Sequence, residues 1–370
     1  MRVCYVVGEI FGHGQYGGFG KLVRVLGRGL VEKGFEVSVI TWQRTKQPDV
    51  ELVDGMLVRS WPYHVSNSFS SRFGHIFKYA SSTSLYKKAD ADVYISFDPN
   101  LSSYVAQKTM PDRKHVVYFQ DPYDEVAFKE MSLVDKTYSW NTRRKLEFYA
   151  VLGVLRKVCH NADGLLTQAN FFVPTARRLF RLDEDPLFLP NPVSIPNRIL
   201  KKAAEPTVCF IGRWDPQKRV EKFFHLATGF PSVEFVVVGK SNYDDIDHQL
   251  RAKYHSIKNL SMVGFVSEEE KSRILEKSWI MVNTSIREGL PVSFLEAAAH
   301  KTAILSYVNP DNFASNLGCH VPDEDFEEGL RTLLKDNLWQ KKGEEGYDYV
   351  KKTHEIKKVI NENARFFESL

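Results

Sequence analysis

The stretch Glu288-Gly289-Leu290-Pro291-Val292-Ser293-Phe294-Leu295-Glu296 sets two carboxylates around an apolar segment that contains a proline. Just before it, Trp279-Ile280-Met281-Val282 reads as a buried strand. Proline fits the first turn of a helix, so the spacing predicts a helix opening near Pro291. Glu288 then falls in the entry loop, and Glu296 lies about a turn and a half inside the helix. The backbone N–H groups of Leu290, Val292 and Ser293 would lie at the helix's positive end, which attracts phosphate or an incipient anion. Carboxylates beside such an end can hold hydroxyl groups, and the combination suggests a sugar attached to a phosphate. A carboxylate pair at a helix entry also occurs on ordinary surfaces, so the companion motifs decide its meaning.

Gly212-Arg213-Trp214-Asp215-Pro216-Gln217-Lys218 follows the strand-like run Thr207–Ile211 directly. Arg213 and Lys218 then stand at the carboxyl edge of a strand, where a pyrophosphate would lie. Arginine offers a bidentate fork and lysine a point charge, complementary tools for a diphosphate leaving group. Nearer the N-terminus, Gly12-His13-Gly14-Gln15-Tyr16-Gly17 formally matches a dinucleotide fingerprint. The acid that should end the second strand is missing, since that strand runs Val39-Ile40-Thr41-Trp42. The better use of Gly17-Gly18-Phe19-Gly20 is a loop whose backbone closes against phosphate or acceptor. A glycine turn without a ligand is the alternative. The acidic pairs Asp90-Ala91-Asp92 and Asp183-Glu184-Asp185 read as solvated turns: the first precedes a strand, and the second lies in a polar loop.

The elements that must position these groups alternate strand and helix along 370 residues, a length that favours two domains. Val3–Val7, Val37–Thr41, Val93–Phe97 and Val116–Phe119 read as strands of a first unit, with helices over Leu22–Lys33 and Thr142–His160. Pro190, Pro192 and Pro196 interrupt that rhythm and mark a hinge before Pro206. Thr207–Ile211, Glu234–Val238, Leu260–Val263, Trp279–Val282 and Thr302–Ser306 then read as a second set of strands, followed by a charged helical region over Glu327–Leu370. The expected fold is α/β, with two Rossmann-like parallel sheets facing across a cleft. A net charge of +4 is too small to suggest a nucleic-acid partner. The surplus lies in residues 1–195, with 25 Lys/Arg against 20 Asp/Glu. There the basic clusters Arg143-Arg144-Lys145, Arg156-Lys157 and Arg177-Arg178 read first as solvated helix faces, and are compatible with an anionic membrane. Cys4, Cys159, Cys209 and Cys319 have no paired spacing, which argues against a zinc site and fits a reducing cytosol. No apolar run approaches the roughly 20 residues of a membrane span, and the N-terminus reads as a strand, not a leader. The expected location is cytoplasmic, with room for peripheral contact at the inner membrane face.

Gly-Arg-x4-Lys, the Val263-Gly264-Phe265-Val266-Ser267 turn and Ser285-Ile286-Arg287-Glu288-Gly289-Leu290-Pro291 with Glu296 occur in this order. Together with Gly17-Gly18 and Leu189-Pro190-Asn191-Pro192-Val193, they make the chain resemble the retaining glycosyltransferases of family 4 (glycosyl transferases group 1), which have the GT-B fold. The resemblance implies an acceptor-binding domain over residues 1–195, a nucleotide-sugar-binding domain over 196–352, and a final helix within 353–370 crossing back to the first domain. It implies that Arg213 and Lys218 hold a donor diphosphate and that Gly264, Phe265 and Val266 line a base pocket. Glu288 would face the transferred sugar, with Gly289, Leu290, Pro291 and Val292 near the phosphate, while Glu296 would bind ribose hydroxyls. Gly17, Gly18 and Gly239 belong to the same implied donor site. The implied substrate is a nucleotide-diphosphate sugar, of uridine or guanosine, with a polysaccharide, oligosaccharide or lipid-linked acceptor. Neither metal nor cofactor is expected. A nucleotide-sugar epimerase or phosphorylase of the same fold, or a non-catalytic sugar-nucleotide-binding subunit, is the rival reading.

The chain departs from the family pattern in three places. The histidine that many relatives carry near the transferred sugar is missing from Ser96-Phe97-Asp98-Pro99-Asn100 and Tyr118-Phe119-Gln120-Asp121-Pro122, which leaves Asp98, Gln120 and Asp121 as acceptor-side candidates, Asp121 also as a catalytic one beside Glu288, Arg213 and Lys218. The glycine usual after the motif lysine is Arg219, and the usual small-Gly turn after the second glutamate is His300-Lys301.

Overall fold

The computed structural model describes residues 1–13, 17–43, 47–62, 79, 82–241 and 243–370. Gly14, Gln15 and Tyr16 of the glycine-rich stretch lie outside the described residues. The chain is α/β, built from two parallel-sheet units. One gathers Met1–Asp124, Asn141–Pro192 and Lys357–Leu370; the other gathers Glu125–Trp140 and Val193–Ile356.

Eight strands form the sheet of the first unit: β1 (Arg2–Val6), β2 (Glu36–Gln43), β3 (Val50–Val53), β4 (Met56–Pro62), β5 (Val93–Phe97), β6 (Lys114–Phe119), β7 (Gly164–Thr167) and β8 (Leu187–Phe188). Their order is β3-β4-β2-β1-β5-β6-β7-β8, parallel throughout except that β3 runs antiparallel to β4. The central strands are buried on both faces, as continuous runs such as Val3-Cys4-Tyr5-Val6 require. Strand order reverses its direction across the sheet between β1 and β5, so the loops after these two strands open at one switch point. The final helix, Ile356–Glu368, presses Ile360 onto Gly29 and Phe366 onto Gly164, two positions where a Cβ would collide with the ring or methyl now seated there.

The second sheet has six strands: β9 (Thr207–Ile211), β10 (Glu234–Val238), β11 (Leu260–Gly264), β12 (Ile280–Asn283), β13 (Ala303–Ser306) and β14 (Gly318–His320). All pairings are parallel and the order is β11-β10-β9-β12-β13-β14. The switch point here falls between β9 and β12, the two strands that precede the Arg213–Lys218 and Glu288 segments. Beneath them the core is aromatic: Phe223 sits between Phe210 and Phe235, with ring centroids 5.7 and 5.3 Å away. Trp214, in the loop after β9, is buried edge-on against Phe224 at 5.6 Å and so ties that loop to the core.

The β3–β4 hairpin and the short strands β7, β8 and β14 add to the strands expected from sequence. Residues 125–140 group with the second unit. No helix among the described residues is long and apolar enough to cross a membrane.

Phe223 is fully buried and touches both flanking strands, so truncating it leaves a cavity that this sheet cannot close. Phe223→Ala should lower the unfolding free energy of the second unit by roughly 3–5 kcal/mol, read by urea unfolding.

Candidate functional site

The loops after β9, β10, β11 and β12 all end at the same edge of the second sheet, and glycines let them meet. Gly239, after β10, has φ +115°, and a Cβ there would lie 1.9 Å from the Gly212 carbonyl oxygen. Its N–H donates to the Gly264 carbonyl at 2.7 Å, while the Gly212 N–H donates to Val238 at 3.1 Å. Three loop starts are thereby stitched together with no room for a side chain at Gly239. Gly264, at φ +79°, turns the chain so that Phe265 stands 61% exposed.

Glu288 and Lys218 are in direct contact. The Lys218 ammonium donates to Glu288 Oε1, an ion pair whose side chains are 21% and 9% exposed. Ser285 Oγ donates to the same oxygen at 2.5 Å, and Asn283 Nδ2 lies 3.4 Å from it. Asn283 in turn accepts from the Ser285 N–H through Oδ1 at 2.9 Å, which fixes the amide's orientation. Gln217 closes the loop from the other side: its side-chain N–H₂ donates to the Arg287 carbonyl at 2.6 Å and its backbone carbonyl accepts from the Ile286 N–H at 3.0 Å. A carboxylate this little exposed needs such partners, because removing one leaves a charge out of water. Arg213 stands on the same loop with its guanidinium half exposed and paired to Asp215 Oδ2 at 3.2 Å.

The helix after this loop runs Val292–Ala299, and Pro291 is its N-cap residue with ψ 133°, one position earlier than a first-turn proline. No side chain caps this helix. Leu290 is buried. Glu296, inside the helix and buried, is met by Lys271 Nζ at 2.9 Å, and Lys271 also bonds Glu268 at 2.9 Å. His300, which replaces the usual small residue, is buried between the Glu296 carbonyl (Nδ1, 2.7 Å) and Ser272 Oγ (Nε2, 2.7 Å).

In the first unit, taken by itself, the loops after β1 and β5 carry the other candidates. Gly17 precedes the Gly18–Glu32 helix, and a Cβ on it would sit 2.2 Å from Glu9 Oε1. That carboxylate accepts the Gly20 N–H at 2.9 Å, satisfying one of the donors at the helix's positive end. Asp98, at φ +52°, accepts the N–H groups of Gln120 and Asp121 through its two carboxylate oxygens, each at 3.0 Å. The Gln120 side chain is buried, with its Oε1 taking the Asn191 amide at 3.0 Å; Gln168 Nε2 donates to the Gln120 carbonyl at 2.5 Å. Asn191 belongs to the Pro190-Asn191-Pro192 segment, so the linker's amide is part of this buried network.

Sequence reasoning missed Lys271, Ser285, Asn283 and Glu9. Ser285 and Asn283 carry a local signal, since each lies within five residues of Glu288. Lys271 meets Glu296 and Glu9 meets Gly20 at 25 and 11 positions, separations no spacing rule covers.

Residues 16–195 match the family model "Glycosyltransferase Family 4", and residues 194–352 match "Glycosyl transferases group 1". This chain belongs to the group 1, family 4-like glycosyltransferases. Among solved structures, sucrose-phosphate synthase from Thermosynechococcus elongatus superposes with a TM-score of 0.78 at 16% identity, covering 100% of this chain and 99% of that one. WaaG, a glycosyltransferase involved in lipopolysaccharide biosynthesis, gives 0.68 at 15% identity, over 98% and 99% of the two chains. A trehalose-6-phosphate structure from E. coli, bound with UDP-2-fluoro glucose, gives 0.67 at 14% identity, over 100% and 99%. No curated protein matches the sequence. The fold is GT-B, and the glycosyltransferase family supports a transferase that uses a nucleotide-sugar donor.

Burial holds the His300 ring below the ordinary imidazole pKa, because charging it inside the helix packing costs solvation. The unfolded chain then takes up its proton first as the pH falls. Stability present at neutral pH is lost as pH drops from the unfolded value through the lowered folded one. Wild type should lose unfolding free energy below about pH 6.5, and His300→Gln should flatten that part of the slope, read by urea unfolding across the acid range.

Proposed function

We propose that this glycosyltransferase moves a sugar from a nucleoside-diphosphate sugar, of uridine or guanosine, to an acceptor hydroxyl with retention of configuration and without a metal. The observation that carries the reading is the Lys218–Glu288 contact at the switch point of the second sheet. A diphosphate placed there meets the Lys218 ammonium, the half-exposed Arg213 fork and the uncapped start of the Val292–Ala299 helix, with Gly289, Leu290 and Pro291 on its approach. Three donors converge on Glu288 Oε1, which leaves Oε2 for a hydroxyl of the transferred sugar. Exposed Phe265 beyond Gly264 offers a ring face to the base, and Glu296 takes the ribose hydroxyls in exchange for Lys271.

Charge developing on the departing phosphate is met by the Lys218 and Arg213 cations and by the backbone dipoles of the helix start. Donors set in place beforehand in this way usually contribute more to the rate than any other single effect. In retention without a protein nucleophile, the phosphate oxygen leaves on the face where the acceptor enters and takes the acceptor's proton. Asp98, Gln120 and Asp121 remain the acceptor-side candidates of the first unit, and Gly17 and Gly18 present the start of the Gly18–Glu32 helix to donor or acceptor once the Glu9 carboxylate releases it. The acceptor we assign is a polysaccharide, an oligosaccharide or a lipid-linked glycan, reached from the cytoplasm. Leu146 and Tyr149 stand exposed among Arg143, Arg144 and Lys145 on the Thr142–His160 helix, which supports a peripheral contact with anionic lipid.

Calorimetry with UDP and GDP, followed by hydrolysis of the matching donor sugars, tests the donor assignment. Lys218→Ala should weaken diphosphate binding and lower the turnover number about 10²–10³-fold, the scale of deleting one preorganised donor. Unchanged binding and turnover in both Lys218→Ala and Arg213→Ala would remove the assignment. Donor binding with neither hydrolysis nor transfer would favour a non-catalytic binding subunit instead.

A further inference from the structure

The residue after the motif lysine is held in a conformation its side chain disfavours. Arg219 has φ +48° and ψ 44°, the left-handed region where glycine is at ease and a β-carbon is crowded. The backbone geometry alone asks for glycine. The side chain shows what arginine supplies in its place. Its Nε donates to the Thr284 carbonyl at 2.7 Å, in the loop that leads from β12 to Glu288. Its Nη1 pairs with Glu324 Oε1, and Lys222 Nζ takes the other carboxylate oxygen at 2.5 Å. The guanidinium lies over the Tyr307 ring, 4.9 Å from its centroid. Glu324 is itself left-handed, at φ +65°. Two non-glycine residues in that region are therefore joined by one ion pair. Arg219 Nη2 is also buried without a partner, a further cost the arrangement carries.

Thr284 returns the contact: its Oγ lies 2.6 Å from the Lys218 carbonyl and 3.1 Å from that of Arg219. The two loops are thus joined in both directions, immediately beside Lys218 and Glu288. We infer that Arg219, anchored by Glu324, is a positioning residue that fixes the Lys218 loop against the Thr284–Glu288 loop, so that the diphosphate meets a preformed site. This inference rests on the donor reading above. Backbone strain kept beside a ligand site is the pattern expected where order is bound up with function. With the join cut, the diphosphate must order the loops itself, and affinity falls by that amount.

The test is UDP and GDP affinity by calorimetry on the full chain, with thermal unfolding as the control for folding. Arg219→Gly suits the left-handed backbone, so its melting temperature should stay close to wild type while the dissociation constant rises about tenfold. Thr284→Val keeps the carbonyl that Arg219 uses and removes only the return bond of the Thr284 hydroxyl, so it should weaken binding on its own, and the double variant should bind less tightly than either single one. In donor hydrolysis the rise should fall on KM, with kcat changed far less, the signature of lost uniform binding. Wild-type affinity in a folded Arg219→Gly overturns the inference. Should Arg219→Gly fail to fold, Arg219→Lys carries the test: it keeps a charge beside Glu324 but loses the fork, and wild-type affinity there overturns the inference equally. If wild type binds neither nucleotide, the donor reading fails first.

Discussion

The site of the second unit depends on one partly buried contact, the ammonium of Lys218 against the carboxylate of Glu288. Glu288, the less exposed of the two, is the group that is costly to leave without partners, while Lys218 still meets solvent. The two residues lie 70 positions apart in sequence, so the pairing demands that β9 and β12 be neighbours in the sheet. They are, because the chain runs outward through β10 and β11 and then returns to the other side of β9. Topology creates the crevice, and the ion pair closes it to a fixed width. The first unit repeats the plan: β1 and β5 flank its reversal, and the loops after them carry Gly17 and Asp98.

Glycines set how closely these loops can approach. Gly239 admits no Cβ because the Gly212 carbonyl occupies that space, and Gly17 admits none because the Glu9 carboxylate does. The constraint differs in kind between the two. At Gly239 backbone meets backbone and nothing can yield. At Gly17 the obstacle is a side chain already bonded to the start of a helix, so the carboxylate takes the position that an anion would otherwise occupy. The first unit's helix end is answered internally, while the Val292–Ala299 helix start has no side-chain cap.

The strands buried on both faces were legible from sequence because such strands need uninterrupted apolar runs, as in Val3–Val6 and Phe235–Val238. β3 was not, since Val50, Glu51 and Leu52 are exposed and this edge strand lays neither face against a core, so no period marks it. β8 is two residues long, too short for any period to register. Residues 125–140 group with the second unit through packing between distant segments, which leaves no mark on local pattern. The motif residues were readable as types at spacings. What they bond to was not: nothing in the sequence says that Lys271 meets Glu296, 25 positions on.

Asn283 and Ser285 give the Lys218–Glu288 contact a property that a bare ion pair lacks. If a diphosphate draws the ammonium toward itself, Glu288 would in a simple pair be left buried and unsatisfied, and that penalty would oppose binding. Here the carboxylate keeps the Ser285 hydroxyl at 2.5 Å and the Asn283 amide at 3.4 Å, both tied to the loop backbone. Those two donors lower the cost of releasing the lysine, so the cation can be held in place before the ligand arrives and still be surrendered to it. A preorganised cation is useful to a leaving group only if its resting partner can let go. On this view Ser285 and Asn283 matter to the proposed reaction as much as the two charged residues do, although neither of them carries a charge.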